Sequence, residues 1–220
     1  MIDLNSMKKE SFDDASNSAL NVLDENDKKI ASLVPIGNWA LQDDGLLNSF
    51  ANWRKIFMPF FLTQFTASKQ STHDYLKKLS IAQRDRIFFA IYVNKTLVGH
   101  MGLSNITDNK AELDNVVRGV PGGPKYLMYF SEKTMLKWAF SNLRVSIIDS
   151  RVMSINLKAL SLHGRFGFKL KERHFLKKVL RKDTSTFEIC EENVATEKFF
   201  LDIIELSSID FIKATHSSLG

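Results

Sequence analysis

Residues 111–143 constrain this chain more than any other stretch, because they demand two changes of conformation in quick succession. They read AELDNVVRGVPGGPKYLMYFSEKTMLKWAFSNL. The first part alternates: Ala111, Leu113, Asn115 and Val117 share one face, and Glu112, Asp114, Val116 and Arg118 the other. Period two predicts a strand. Gly119, Pro121, Gly122 and Gly123 then break any ladder, since proline lacks a donor and glycine is costly to order. Pro124 is placed as the first helical residue, where its missing N–H costs nothing. Beyond it Met128, Met135, Trp138 and Ala139 form an apolar stripe, flanked by Tyr129, Leu136, Phe140 and Leu143.

A helix start preceded by glycines offers unpaired backbone N–H groups and the positive end of a dipole. That is a site for phosphate or pyrophosphate, with Arg118 and Lys125 adding full charge. A plain solvated glycine turn has the same short signature, so the flanking chain must decide between them.

With 220 residues, 44% of them hydrophobic, the chain can bury one sizeable core. Its single cysteine, Cys190, excludes a disulfide framework and a cysteine-rich metal site, and no metal is expected. No apolar run is long enough for a membrane helix, and Met1–Leu20 is too polar for a signal peptide. A cytoplasmic protein with no membrane partner is therefore expected. Residues 1–30 hold four Lys against seven Asp or Glu and read as a flexible acidic extension or a loosely docked helix. Residues 144–182 hold eleven Lys or Arg against Asp149 and Glu172, a net +9 that favours an anionic partner. No nucleic-acid motif accompanies it, so a phosphorylated cofactor is the alternative carried forward.

Taken in order, Ser32–Gly37 is expected as an edge strand, Asp44 as the cap of a helix through Phe57, and Met58–Phe65 as a buried corner or pocket wall. Thr72 is expected to cap a helix to Gln83. Ile87–Val93, Thr96–Asn105 and the strand from Ala111 make an antiparallel meander. After the long helix come a strand at Val145–Val152, a helix capped by Asn156 and closed by Gly167, and a hairpin of Phe175–Leu180 with Thr186–Cys190. Ala195–Leu206 is expected as a terminal helix and 207–220 as a polar tail. The domain boundaries that follow are 1–30, 31–206 and 207–220.

The meander, the Arg-Gly-x-x-Gly-Gly turn and the block NLKALSLHGRFGF (Asn156–Phe168) resemble a GCN5-related N-acetyltransferase. The likeness is strongest to the branch of ribosomal-protein N-terminal and amino-sugar acetyltransferases. It implies an α/β fold with a mixed, mostly antiparallel sheet, a splayed V between its central strands, and flanking helices. It also implies acetyl-CoA (coenzyme A) as donor. Residues 118–123 correspond to the pyrophosphate loop, with Pro121 where the first glycine is usual and Gly122 able to replace it. The resemblance places Gly119, Gly122, Gly123, Arg118 and Lys125 around the phosphates and the backbone of Asn115, Val116 and Val117 along the pantetheine. It places Asn156 on the pantetheine and Arg165 near the nucleotide phosphates.

Acetyl transfer to an amine needs a base for the amine proton and an acid for the departing thiolate. The family commonly supplies the acid as a tyrosine in a Leu-Tyr-x-x-x-Gly-Phe setting, and His163 stands at that position. Glu112 and Asp114 share a strand face and are candidate bases. His100 competes with them, because Gly102 on its face leaves room for a substrate. A water chain is a further option. Trp39, Trp53, Phe57, Phe60 and Phe61 lie where the family builds its acceptor wall. The expected partner is a small-molecule amine, an amino-sugar nucleotide, with a protein N-terminus as alternative and a non-catalytic acyl-CoA-binding module as the non-enzyme reading. No nucleic-acid partner is expected, and a homodimer is an open option.

Overall fold

The computed structural model describes residues 3–216. They group into two compact units: the chain up to Trp53 with Ser68–Ser146, and Arg54–Ala67 with the chain from Ile147. The fold is mixed α/β with a mostly antiparallel open sheet and flanking helices, as expected.

In the first unit, helices α1 (Leu4–Met7) and α2 (Phe12–Asn17) precede strands β1 (Leu20–Leu23) and β2 (Lys29–Pro35). Helix α3 spans Asp44–Phe57 and begins in this unit, and β3 (Thr63–Phe65) belongs to the second. Helix α4 (Lys69–Tyr75) runs on into a π-helical stretch, Leu76–Ile81. Strands β4 (Ile87–Val93), β5 (Thr96–Ser104) and β6 (Lys110–Arg118) form the expected meander, followed by helix α5 (Leu127–Asn142). The strands pair antiparallel in the order β1-β2-β4-β5-β6. Asn94, with φ of 55°, makes the β4–β5 turn. Helix α5 packs on β1 and β2, burying Leu127, Met135, Leu136 and Ala139. Each fully buried Leu or Phe contributes about 1.5–3 kcal/mol, so Leu33, Phe89, Ile91 and Leu103 hold this unit together.

Residues 3–30 are not a mobile extension. Leu4, Met7, Ala15 and Val22 are buried, and β1 pairs with β2 along its length. Lys8 Nζ donates to the carbonyls of Ser80, Ile81 and Gln83, which satisfies the open end of the π-helical stretch. Burial pushes the Lys8 ammonium down, with Asp85 and Asp3 opposing. Strand β2 is not an edge, since β1 covers one side and β4 the other. Proline is tolerated because Pro35 is its last residue.

Three helix starts move by a few residues. Asp43, not Asp44, accepts from Leu46 N at the start of α3. Ser68 and Ser71 form a reciprocal capping box, so α4 starts before Thr72. Pro124 lies in the turn before α5, which begins at Leu127.

In the second unit, β7 (Ile147–Met153) leads to helix α6 (Leu157–Gly164), then β8 (Lys169–Arg181), β9 (Thr184–Cys190), β10 (Leu201–Ser207) and helix α7 (Ser208–His216). The strand order is β7-β10-β8-β9-β3, all antiparallel. The segment expected as a terminal helix therefore carries β10, paired on both sides, and the expected polar tail carries α7. Met58–Phe65 is not a buried corner: Phe60 is exposed and β3 pairs with β9. Met153, Leu176, Phe187 and Leu201 form a cluster of this unit's core. No described helix is long and apolar enough to cross a membrane.

Candidate functional site

Strand β6 delivers the chain into the glycine loop with its geometry defined at both ends. Gly119 N donates to Val98 O at 2.9 Å, extending the ladder one residue past the strand. Gly122 and Gly123 adopt φ of 85° and 81°, the left-handed region that glycine reaches without penalty. Inside the loop the Arg118 guanidinium donates to Val120 O at 3.4 Å and to Gly122 O. Its charge braces the loop from within as well as adding positive potential.

Helix α5 then follows its N-cap Tyr126, itself left-handed at φ 57°, with no side-chain cap and no acidic residue in its first turn. The positive end of the dipole therefore has no carboxylate in the helix's own first turn. Lys125 lies 4.8 Å over the Tyr126 ring. The left-handed glycines, uncapped helix start and two cations fit a pyrophosphate group. The proline at 121 is exposed and leaves Gly122 and Gly123 to make the turn.

The second feature is a bulge in β6. Gly102 faces Asp114 and His100 faces Val117, leaving Asn115 and Val116 opposite the single Met101. Asn115 has φ of 54° within the strand. His100 Nδ1 lies 2.8 Å from Asn115 O; a carbonyl only accepts, so Nδ1 carries the hydrogen. Asn115 Nδ2 donates to the Tyr75 hydroxyl at 3.0 Å, and Arg86 Nη1 donates to the same oxygen at 3.1 Å. Arg86 also lies 3.7 Å from Asp114. Tyr75 and Arg86 were not singled out in the sequence, because they sit apart from every motif and join the site only through folding.

The candidate bases separate in this arrangement. Glu112 accepts from Asn105 Nδ2 at 2.9 Å, whereas Asp114 faces Arg86, so the two carboxylates have different partners. His100 is 6% exposed and enclosed by Phe50, Phe88 and Trp53, with ring centroids 4.5–5.9 Å away. The room expected beside it at Gly102 is filled: a Cβ there would lie 2.6 Å from Phe88 Cδ2. Trp39 is core, its Nε1 donating to Pro35 O, and Trp53 is buried against Gly119.

In the second unit, Asn156 caps α6 as expected, accepting from Ala159 N at 3.2 Å. His163, on the same helix, is 2% exposed and packs on Phe168 at 5.5 Å. Arg165 is exposed at the end of α6. Gly167 takes φ of 94° as the chain turns into β8. The basic segment is less free than its +9 suggests. Lys169 pairs with Asp210, Lys171 with Glu205, Arg173 with Asp202 and Arg181 with Glu188. Its acidic complement comes from β10 and α7, distant in sequence, and from β9 across the adjoining hairpin. Arg54 stacks 3.5 Å over Phe61 and 5.3 Å from Phe65, in an aromatic group of this unit. Among the described residues no cluster of His, Cys, Asp and Glu has metal-site geometry.

A profile described as Acetyltransferase (GNAT) domain matches residues 36–169. Among solved structures, the chain resembles spermidine N-acetyltransferase from Vibrio cholerae in complex with CoA and spermine. They share 16% identity over 83% of this chain and 98% of the other, with TM-score 0.61. It also resembles the microcin C7 self immunity acetyltransferase MccE in complex with acetyl-CoA and AMP, at 14% identity, 82% and 93% coverage and TM-score 0.61. The Campylobacter jejuni N-acetyltransferase PseH is similar at 16% identity, 81% and 99% coverage and TM-score 0.53. A comparison with curated protein sequences found no match. With that family model matching more than half of the chain, this protein is an N-acetyltransferase and belongs to the GNAT acetyltransferase family.

Proposed function

We propose that the protein transfers the acetyl group of acetyl-CoA directly to the amine of a nucleotide-linked amino sugar. The donor is acetyl-CoA, and the loop from Arg118 to Tyr126 carries that assignment, its uncapped helix start and left-handed glycines being suited to a pyrophosphate. Lys125 adds charge beside it, Arg165 serves the nucleotide phosphates, Asn156 meets the pantetheine, and the backbone of Asn115–Val117 lines its arm. Exposure favours Asp114 as the base, because an amine can reach a carboxylate that is 30% exposed more readily than a histidine that is 6% exposed. His163 is the acid for the thiolate.

The acceptor reading rests on charge and on a relative. A polyamine asks for several carboxylates, whereas Arg86 here lies beside Asp114 and tempers its charge. A nucleotide-bearing acceptor suits that mixed site, and a structural relative is described in complex with acetyl-CoA and AMP. Thiol release from acetyl-CoA, measured across amino-sugar nucleotides, polyamines and peptides, decides between them. Turnover with amino-sugar nucleotides is expected; turnover only with polyamines or peptides overturns the acceptor class.

A further inference from the structure

Asn115 is held in an unfavourable backbone conformation from two directions. Its φ of 54° lies in the left-handed region, which Asn tolerates better than most residues and still populates sparingly. From β5, His100 Nδ1 donates to its carbonyl at 2.8 Å. From α4, the Tyr75 hydroxyl accepts from its side-chain amide at 3.0 Å. The hydroxyl is itself anchored by Arg86 Nη1 at 3.1 Å, and the Tyr75 ring meets the edge of Phe88 at 6.5 Å. Phe88 also packs on His100 at 5.0 Å, so both grips stand on one rigid ring. The chain thus brings two separate elements, β5 and α4, to bear on one residue of the bulge, with Phe88 of β4 behind both.

We infer that Tyr75 is a positioning residue for acetyl transfer, acting through Asn115 to hold the β6 bulge in shape. This rests on the proposed placement of the acetyl-CoA arm along Asn115–Val117. The phenol touches neither donor phosphates nor reacting atoms in this account. It keeps the backbone of Asn115 and Val116 turned out of the regular ladder, so that those groups are presented in one orientation before the donor arrives.

The test pairs Tyr75→Phe with Asn115→Gly, since glycine adopts the left-handed conformation without help. Two quantities are read: hydrogen exchange of a peptide spanning Asn115–Val117 in the protein without acetyl-CoA, and steady-state kinetics with a calorimetric CoA dissociation constant. The Tyr75→Phe variant loses the hydroxyl's bonds to both Asn115 and Arg86. The neutral bond to Asn115 sets the expected effect: exchange about fivefold faster and kcat about five- to tenfold lower, with the CoA dissociation constant within about twofold of the parent. In the Asn115→Gly background the same Tyr75→Phe change should alter kcat by less than about twofold. Equal losses in both backgrounds overturn the inference, since the phenol then acts independently of Asn115. Faster exchange with unchanged kcat also overturns it, leaving Tyr75 a structural residue. If the parent protein releases no thiol with any acceptor, the proposed function falls. Unchanged exchange in Tyr75→Phe then overturns the brace separately.

Discussion

Gly119 lies flat against the indole of Trp53: a Cβ built on it would sit 1.8 Å from Trp53 Cε2. Trp53 is 5% exposed and packed on Phe50 and His100, so the indole has nowhere to move. Gly119→Ala should therefore destabilise the protein by about 1–3 kcal/mol, the usual range for overpacking a rigid core. Denaturant unfolding measures it, and a stability equal to that of the parent contradicts the contact.

The other two loop glycines should behave differently. A Cβ at Gly122 meets nothing within 4 Å, so only the left-handed φ resists a side chain there. That strain is roughly 1–2 kcal/mol for an alanine. An exposed loop can relax in the free protein and must pay the strain on binding. Gly122→Ala should leave the melting temperature nearly unchanged and weaken CoA binding about tenfold. Calorimetry at two salt concentrations checks this, with affinity expected to fall as salt rises.

His163→Phe separates chemistry from packing at the one buried side chain of helix α6. If the imidazole protonates the thiolate, kcat should fall by about 10²–10⁴ while CoA affinity stays within a few-fold. His163→Tyr should restore part of the activity and move the pH optimum upward, because a phenol keeps its proton to higher pH. A melting curve must accompany the kinetics, since the ring is 2% exposed and packs on Phe168. Normal turnover by a folded His163→Phe protein assigns the proton to solvent instead.

Tyr92 gives the fold an alkaline limit. Burial, with a smaller contribution from Asp43, pushes its hydroxyl up to about 12 from an ordinary 10. Between those values the folded chain holds a proton that the unfolded chain has released, so stability is complete below pH 10 and falls as pH rises towards 12. Tyr92→Phe should flatten that part of the stability profile, as measured by urea unfolding at pH 9, 10 and 11. An unchanged slope in the variant assigns the alkaline sensitivity elsewhere.

The Arg173–Asp202 pair should outrank its neighbours. Asp202 has only 4% of its side chain exposed and receives two bonds from Arg173, at 2.7 and 2.8 Å. Lys169 and Lys171 hold carboxylates that keep about 30% exposure. Arg173→Met should therefore destabilise more than Lys169→Met or Lys171→Met, because it leaves a buried charge unpaired. Thermal melts of the three variants rank them.

The sequence by itself determined the parts whose signals are local. The apolar run at 87–93, the alternation in 111–118, the glycines before α5 and the Asn156 cap each depend on residues within a few positions, and each has its expected structure. The glycine loop was legible for the same reason: a left-handed turn before a helix needs glycine whatever surrounds it. Tertiary structure decided the rest. Leu201–Ser207 has a composition that suits helix or strand, and pairing with β7 on one side and β8 on the other makes it a strand. Residues 3–30 hold few large apolar side chains, yet docking of Lys8 on the carbonyls of 80–83 orders the segment between α1 and α2. Nothing local announces Tyr75 or Arg86, which reach Asn115 and Asp114 only once α4 lies against the meander. Local propensity acts over a few residues. The contacts that shape the bulge join positions as far apart as 75 and 115, and only the folded chain brings them within a hydrogen bond.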